Sequence, residues 1–247
     1  AYDRILEFAQ NAGYRVVILY ARGEALREAG RPDEAAASFR RMLEEYPTTS
    51  AAHLALSALE AVGAPGVDDL TRAVALYHGG RYDEALEALA RHREAAPEVA
   101  PDRAAYYTGL ALKALGRHDE AIAEFEALID AHGDGTYVAD AWTAKAECLS
   151  AKGLDPSSFL ELYFRTHPES ARAPALLWQA AQGLERARHW GDAAYYYGLL
   201  RAHYPADSGA SEAAFREGLM RYAAGDYGSA LSVWGEALGA ATAAADR

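Results

Sequence analysis

The 247-residue sequence predicts an all-α protein: an α-solenoid (superhelix) of about six helix–turn–helix repeats, with one extra short helix between repeats one and two. Three observations carry that expectation. Alanine, the best helix former, is abundant, and the 24 basic residues are 21 Arg and 3 Lys, Arg being another good helix former. Proline is scarce, at 9, and stands at segment ends. One short phrase recurs along the chain at a nearly fixed interval, the signature of a repeat architecture.

The phrase Gly30-Arg31-Pro32-Asp33-Glu34-Ala35 returns as Gly80-Arg81-Tyr82-Asp83-Glu84-Ala85 and as Gly116-Arg117-His118-Asp119-Glu120-Ala121. Weaker copies are Gly153-Leu154-Asp155-Pro156, His189-Trp190-Gly191-Asp192-Ala193 and Gly225-Asp226-Tyr227-Gly228-Ser229-Ala230. Aligned on their last residues, the copies are 50, 36, 35, 37 and 37 residues apart. Twelve residues before each anchor stand Gly23, Ala73, Gly109, Ala144, Ala181 and Gly218, all small. Four after stand Phe39, Leu89, Phe125, Leu160, Tyr197 and Trp234, all large and apolar. Twelve after stand Pro47, Pro97, Gly133, Pro168 and Pro205.

Each feature has a mechanical reading. The small residue lets two paired helices approach, and the large residue fills the space beside the anchor. The glycine ends the first helix where a positive φ is needed. The aspartate caps or charges the start of the second helix. The proline stops that helix. In the fourth copy Pro156 is expected at a first helical position, where proline is tolerated. Taken in order, the repeats span roughly 13–47, 67–98, 103–133, 137–168, 173–205 and 210–241 in one solenoid covering 1–247. The interval of 50 marks an insertion at 48–66. There Ala51–Leu59 and the residues beyond are helical by composition, Ala64-Pro65-Gly66 breaks them, and Asp68-Asp69 opens a helix over 69–78. The last helix is expected over 228–238.

These residues, the small mid-helix position, the G-R-x-D-E-A turn, the apolar residue four on and the terminal proline, resemble the tetratricopeptide repeat family. The likeness runs from about residue 13 to 241, with a period slightly above that family's 34. A narrower resemblance rests on Tyr163–Ser170, Ala175–Ala181, Asp192–Leu200, Ala213–Gly218 and Tyr222–Tyr227, together with Ala51–Ala85. This style is similar to the amino-terminal helical superhelix of bacterial soluble lytic transglycosylases, and it implies a cell-envelope or extracytoplasmic setting. That family's catalytic domain carries Glu-Ser, Gly-Leu-Met-Gln and Ala-Tyr-Asn-Ala-Gly stretches. Here Glu169-Ser170 lies in a linker, Gly218-Leu219-Met220 is followed by Arg221, and Tyr222-Ala223-Ala224-Gly225 lacks the Asn, so no catalytic role transfers.

Composition excludes several functions. A net charge of −12 opposes nucleic acid, whose phosphates demand a basic face, and equally an anionic membrane surface. No run of eighteen apolar residues is present to insert into a membrane. The one cysteine, Cys148, excludes an internal disulfide and reads as core filler. His132, His167 and His203 recur near the ends of second helices. Packed helices stand about 8–10 Å apart and zinc binds imidazole at about 2 Å, so these histidines cannot share an ion. No cofactor, metal site or catalytic residue is expected, and the chain is read as a non-enzyme. Tyr195-Tyr196-Tyr197 offers a sugar-stacking platform, except that consecutive helical residues fan about 100° apart, which puts at least one ring in the core.

Stacked hairpins leave a concave groove lined by first helices. Its expected lining is Arg27, Tyr77, Arg103, Tyr106, Lys113, Lys145, Gln182, Glu185, Glu212 and Tyr222, a mixture of rings, Arg forks and carboxylates. The expected partner is a protein or peptide, with peptidoglycan as a further candidate. Because the sequence opens mid-helix and closes on an apolar helix, a segment of a longer protein or end-to-end self-association is expected. The alternative is the structural arm of a lytic transglycosylase whose catalytic domain lies downstream.

Overall fold

The computed structural model describes residues 2–132 and 135–245, and among them are fourteen helices and no strand. By packing density the chain falls into two units, Ala1–Ala141 and Trp142–Arg247. The first holds α1 (Tyr2–Phe8), the hairpin α2 (Ala12–Glu28) with α3 (Pro32–Glu45), the single helix α4 (Ala52–Ala61), and the hairpins α5 (Asp69–His78) with α6 (Tyr82–Ala95) and α7 (Pro101–Ala114) with α8 (His118–His132). Helix α9 (Val138–Ala151) crosses the boundary and is followed by α10 (Ser157–Thr166). The second unit continues with the hairpins α11 (Ala173–Arg186) with α12 (Trp190–His203) and α13 (Ala210–Ala223) with α14 (Tyr227–Ala245). Within each unit neighbouring hairpins pack side by side, α6 on α7 and α12 on α13, in the manner of an α-solenoid.

The turns show why the phrase recurs. Gly30, Gly80, Gly116, Gly153 and Gly225 all have positive φ, between 69° and 85°. In each hairpin the amide after this residue donates to the carbonyl five residues back, as Arg31 does to Leu26 and Asp226 to Arg221, closing a Schellman motif. The fifth hairpin has no glycine there, and Arg188 adopts φ 63° in its place, with His189 donating to Leu184. The three full copies add a fork: the Arg31 guanidinium grips Glu34 at 2.5 and 2.6 Å, Arg117 grips Glu120 at 2.6 and 2.7 Å, and Arg81 holds Glu84 in the same way. These aspartates charge the first turn instead of capping it, since Arg31 and Arg81 occupy the cap positions. Asp226 is itself the cap of α14, accepting from the Ser229 amide at 3.2 Å.

Hairpin depth is set by one small residue facing one large one. A methyl group built on Gly23 would stand 2.4 Å from the Phe39 ring, on Gly109 2.5 Å from Phe125, and on Gly218 2.2 Å from Trp234. Where the small residue is Ala73, its counterpart is the smaller Leu89, and both are buried. A second aromatic, three residues before the small one, closes the packet in four hairpins. Tyr20 meets Phe39 at 5.7 Å, Tyr106 meets Phe125 at 6.3 Å, Trp178 meets Tyr197 at 5.3 Å and Phe215 meets Trp234 at 6.4 Å.

Two expectations change. Pro156 is the cap before α10, not its first residue, and Gly153 lies three residues before the cap where the other glycines lie one before it. This turn is therefore two residues longer. The small and large residues expected for the fourth hairpin, Ala144 and Leu160, are both buried. Helix α14 runs from Tyr227 to Ala245, beyond the expected 228–238. At the start, the expected helix around Ile5–Ala9 is α1, and α2 follows it, capped by Asn11 accepting from the Gly13 amide at 2.9 Å. The inserted helix is present as α4, and Asp68 caps α5 through the Thr71 amide at 2.9 Å. Second helices close as expected, with Pro47, Pro97, Pro168 and Pro205 each one residue past the C-cap. Gly133 lies outside the described residues.

Two expected outcomes follow from these contacts. Gly23→Ala costs about 1–3 kcal/mol of overpacking less about 1 kcal/mol of helix propensity. Combined with Phe39→Leu, which shortens the opposing side chain, the penalty shrinks. Urea unfolding of the four proteins in a double-mutant cycle reads this coupling, and strict additivity would show that the pair does not set the approach. Separately, Arg188→Gly removes the left-handed strain and raises stability by about 1 kcal/mol, seen as a higher urea midpoint. An unchanged or lower midpoint would mean the turn tolerates a Cβ freely.

Candidate functional site

Arg27, Tyr77, Lys113, Glu185 and Tyr222 share one place in their hairpins: each stands three residues before the positive-φ residue of the turn and accepts its amide through the backbone carbonyl. Their side chains differ in what they meet. Arg27 is exposed and binds Glu24 on its own helix at 2.7 Å. Tyr77 is half-buried in an aromatic cluster of the first unit, edge-on to Tyr107 at 5.5 Å and near Tyr82 at 5.6 Å. Tyr106 joins the cluster, edge-on to Tyr107 at 5.7 Å and stacked on Tyr137 at 5.0 Å. Arg103 lies over Tyr107 at 5.9 Å, with its Nε buried and unpaired. Lys113 is half-buried on α7. The structure thus brings Tyr77, Arg103 and Tyr106 together around Tyr107 and leaves Arg27 on another hairpin.

In the second unit, Lys145 sets its ammonium 4.1 Å over the Phe159 ring, which itself stacks on Trp142 at 4.1 Å. Tyr222 is exposed, with Tyr227 at 5.0 Å and Trp234 at 6.4 Å. Gln182, Glu185 and Glu212 converge on the seam between α11 and α13, where Arg216 is the hub. Its guanidinium binds Glu185 at 3.0 Å and Glu212 at 2.8 Å, and lies 5.7 Å over the Trp178 ring. Glu185 also accepts the Tyr197 hydroxyl at 2.7 Å. Two clefts of about 410 Å³ each flank this hub. One is lined by Gln182, Glu185, Arg186, Trp190 and Arg216. The other is lined by Pro174, Ala175, Trp178 and Leu200 together with Asp207 and Glu212. Behind the seam Glu217, 1% exposed, is held between Arg201 at 2.9 Å and Arg221 at 2.8 Å. A buried carboxylate so paired locks α13 onto α12, because breaking the pair would strand a charge away from water.

Sequence reasoning missed Trp178, Trp190, Asp207 and Arg216. A signal for Trp178 was present: aromatic residues three before the small residue recur in four hairpins. Nothing in the spacing marked Arg216, whose role arises only when α13 is laid on α11.

The arrangement offers binding surfaces of rings, guanidinium groups and carboxylates. Among the described residues no group of three His, Cys, Asp or Glu is placed to hold a metal ion, and no helix is long and apolar enough to cross a membrane. His167 stacks on Tyr163 at 4.8 Å and His203 lies edge-on to Phe164 at 5.0 Å, while the side chain of His132 lies outside the described residues. Cys148 is buried. The tyrosine platform dissolves, because Tyr197 is 0% and Tyr196 6% exposed, leaving only Tyr195 at 49% to present a ring. Tyr195 and Tyr196 both donate to Glu161, at 3.1 and 2.9 Å.

Two family models, both described as tetratricopeptide repeat, match the chain: one over residues 16–59, the other over 69–100 and 108–166, together more than half its length. No curated protein matches it. Among solved structures it is similar to PilW, described as a widely conserved type IV pilus biogenesis factor, with 17% identity, 90% of this chain and 91% of that one covered, and a TM-score of 0.46. It is also similar to pilF of Pseudomonas aeruginosa (14% identity, 90% of each chain, TM-score 0.47) and to BtubC (BKLC) from P. vanneervenii (17%, 90% and 92%, TM-score 0.48). At such identities and TM-scores no partner or activity carries over.

Burial, and then the hydrogen bonds to Glu161 and Glu185, push the Tyr196 and Tyr197 phenols well above their ordinary value. Burial and Glu161 move Tyr195 the same way. The native state therefore keeps protons that the unfolded chain releases above about pH 10. This contribution to stability is intact below that pH and is lost as pH rises beyond it. Urea midpoints should accordingly fall above about pH 10, with tyrosinate absorbance of the native protein lagging until unfolding. A midpoint that stays flat through that window would contradict the burial assigned to these rings.

Proposed function

The chain belongs to the tetratricopeptide repeat family, and from that premise we propose that it is a non-catalytic scaffold that holds an extended peptide segment of a protein partner along the seam between α11 and α13. One observation carries the reading. Gln182, Glu185 and Glu212, which come from two successive first helices, meet around Arg216 with an open cleft on either side. The mixture of indole faces, a guanidinium hub and paired carboxylates suits a polypeptide, whose backbone and side chains need both apolar contact and polar orientation. Arg186 strengthens it: its Nε donates to the Gln182 carbonyl on its own helix at 3.2 Å, leaving the charge beside Trp190 for a ligand.

Peptidoglycan as the ligand, a place in the cell envelope, and a role as the arm of a lytic transglycosylase rest on the resemblance of sequence style alone. No structural feature or comparison favours them.

A peptide library panned against the chain tests the reading. The selected peptides should lose most of their affinity on Arg186→Ala together with Trp190→Ala, measured by calorimetry, while circular dichroism shows the fold retained. Peptides indifferent to these changes would move the site elsewhere. Purified sacculi incubated with the chain should release no muropeptide, and measurable turnover would overturn the non-catalytic reading.

A further inference from the structure

Resting on the reading of the α11–α13 seam as the docking face, we propose that the partner segment is basic: a Lys or Arg flanked by apolar residues, seated in the cleft between Trp178 and the turn before α13.

That cleft is lined by the apolar Pro174, Ala175, Trp178 and Leu200 and by the carboxylates Asp207 and Glu212. A long cationic side chain matches this lining, with its methylene stem against the apolar residues and its charged head at the carboxylates. The charge balance points the same way. Arg216 is one guanidinium serving two carboxylates, Glu185 and Glu212, so the three together carry one negative charge. Asp207 adds another. Its carboxylate orients the turn by accepting the Gly209 amide at 2.8 Å, a hydrogen bond that leaves its charge uncompensated. The Trp178 ring already carries a cation, the Arg216 guanidinium at 5.7 Å, which shows that the indole is placed for cation–π contact. At longer range the chain's charge of −12 draws a basic partner and repels an acidic one, raising the encounter rate at low salt. The cleft holds about 410 Å³, room for one long side chain and its neighbours but not for a globular surface.

The test uses two fluorescein-labelled probes of equal length, one alternating Arg with Leu, the other Glu with Leu, titrated against the full chain at low and high salt. The Arg/Leu probe should bind tightest at low salt. The double variant Asp207→Asn, Glu212→Gln preserves size and keeps an acceptor for the Gly209 amide. It should weaken that probe about tenfold or more, as expected for lost charge pairs at a partly desolvated site. Glu44→Gln, which removes a charge on the exposed face of α3, should leave binding unchanged. Trp178→Phe, which keeps a ring, should weaken binding less than the double variant. Equal loss from Glu44→Gln would show non-specific attraction to an acidic protein and overturn the inference. Preference for the Glu/Leu probe would overturn it too, while sensitivity of that probe to Arg186→Ala would leave the docking seam standing. Failure of both probes, together with failure of library panning, would overturn the seam itself.

Discussion

The structure depends on how closely two helices of a hairpin can approach, and one pair of residues decides it. At Gly23, Gly109 and Gly218 there is no room for even a methyl group, because the ring of Phe39, Phe125 or Trp234 occupies that volume. Ring and glycine are complementary at these three pairs: the volume a side chain would take on the first helix is filled from the second. Elsewhere alanine serves, with Ala73 and Leu89 buried in the second hairpin and Ala181 and Tyr197 in the fifth. Interiors at crystal-like density leave no slack for a mismatch. Once the approach is set, the aromatic three residues earlier can close over the ring, and the packed face becomes the platform for the next hairpin.

The turn supports this arrangement independently. A positive-φ residue reverses the chain, and its amide and the next one satisfy the last carbonyls of the first helix. The Arg–Glu fork then ties the cap of the second helix to its own first turn in the three full copies. Being exposed, the fork contributes modestly, and the later hairpins fold without it. Arg188 shows the hierarchy between these devices. The turn geometry is kept even where the residue that adopts it most easily is missing, since the packing on either side demands the reversal at that point.

Against this background, legibility in the sequence varied with range. The small and large positions, the turn glycines, the terminal prolines and the inserted helix were readable because each is a local requirement that recurs, and recurrence separates it from chance. In the fourth copy the second helix starts at Ser157, one residue later than expected, because its phrase is degenerate. Without the full motif, nothing local distinguishes Pro156 as a cap from Pro156 as a first helical residue. Of the groove positions, Gln182, Glu185 and Glu212 proved to be neighbours, as did Tyr77, Arg103 and Tyr106, whereas Arg216, Trp178 and Asp207 went unnoticed. An arginine that serves Glu185, thirty-one residues away, has no local signature. Tyr195, Tyr196 and Tyr197 divide between surface and core according to how α12 is rotated against its neighbours, which a run of three identical letters cannot express.

The sequence by itself determined that the chain is helical, that its helices pair through tight turns, and which residues punctuate most of those turns. These follow from propensity, backbone conformation and side-chain size, all of which act within one turn or one hairpin. Only the tertiary structure decided that Arg216 of α13 would bridge Glu185 and Glu212 over Trp178, that Glu217 would be buried between two arginines, and that open clefts would remain beside them. Those outcomes depend on the register in which one hairpin settles on the next. Register is a sum over many contacts distant in sequence, and it is resolved only when the whole face packs.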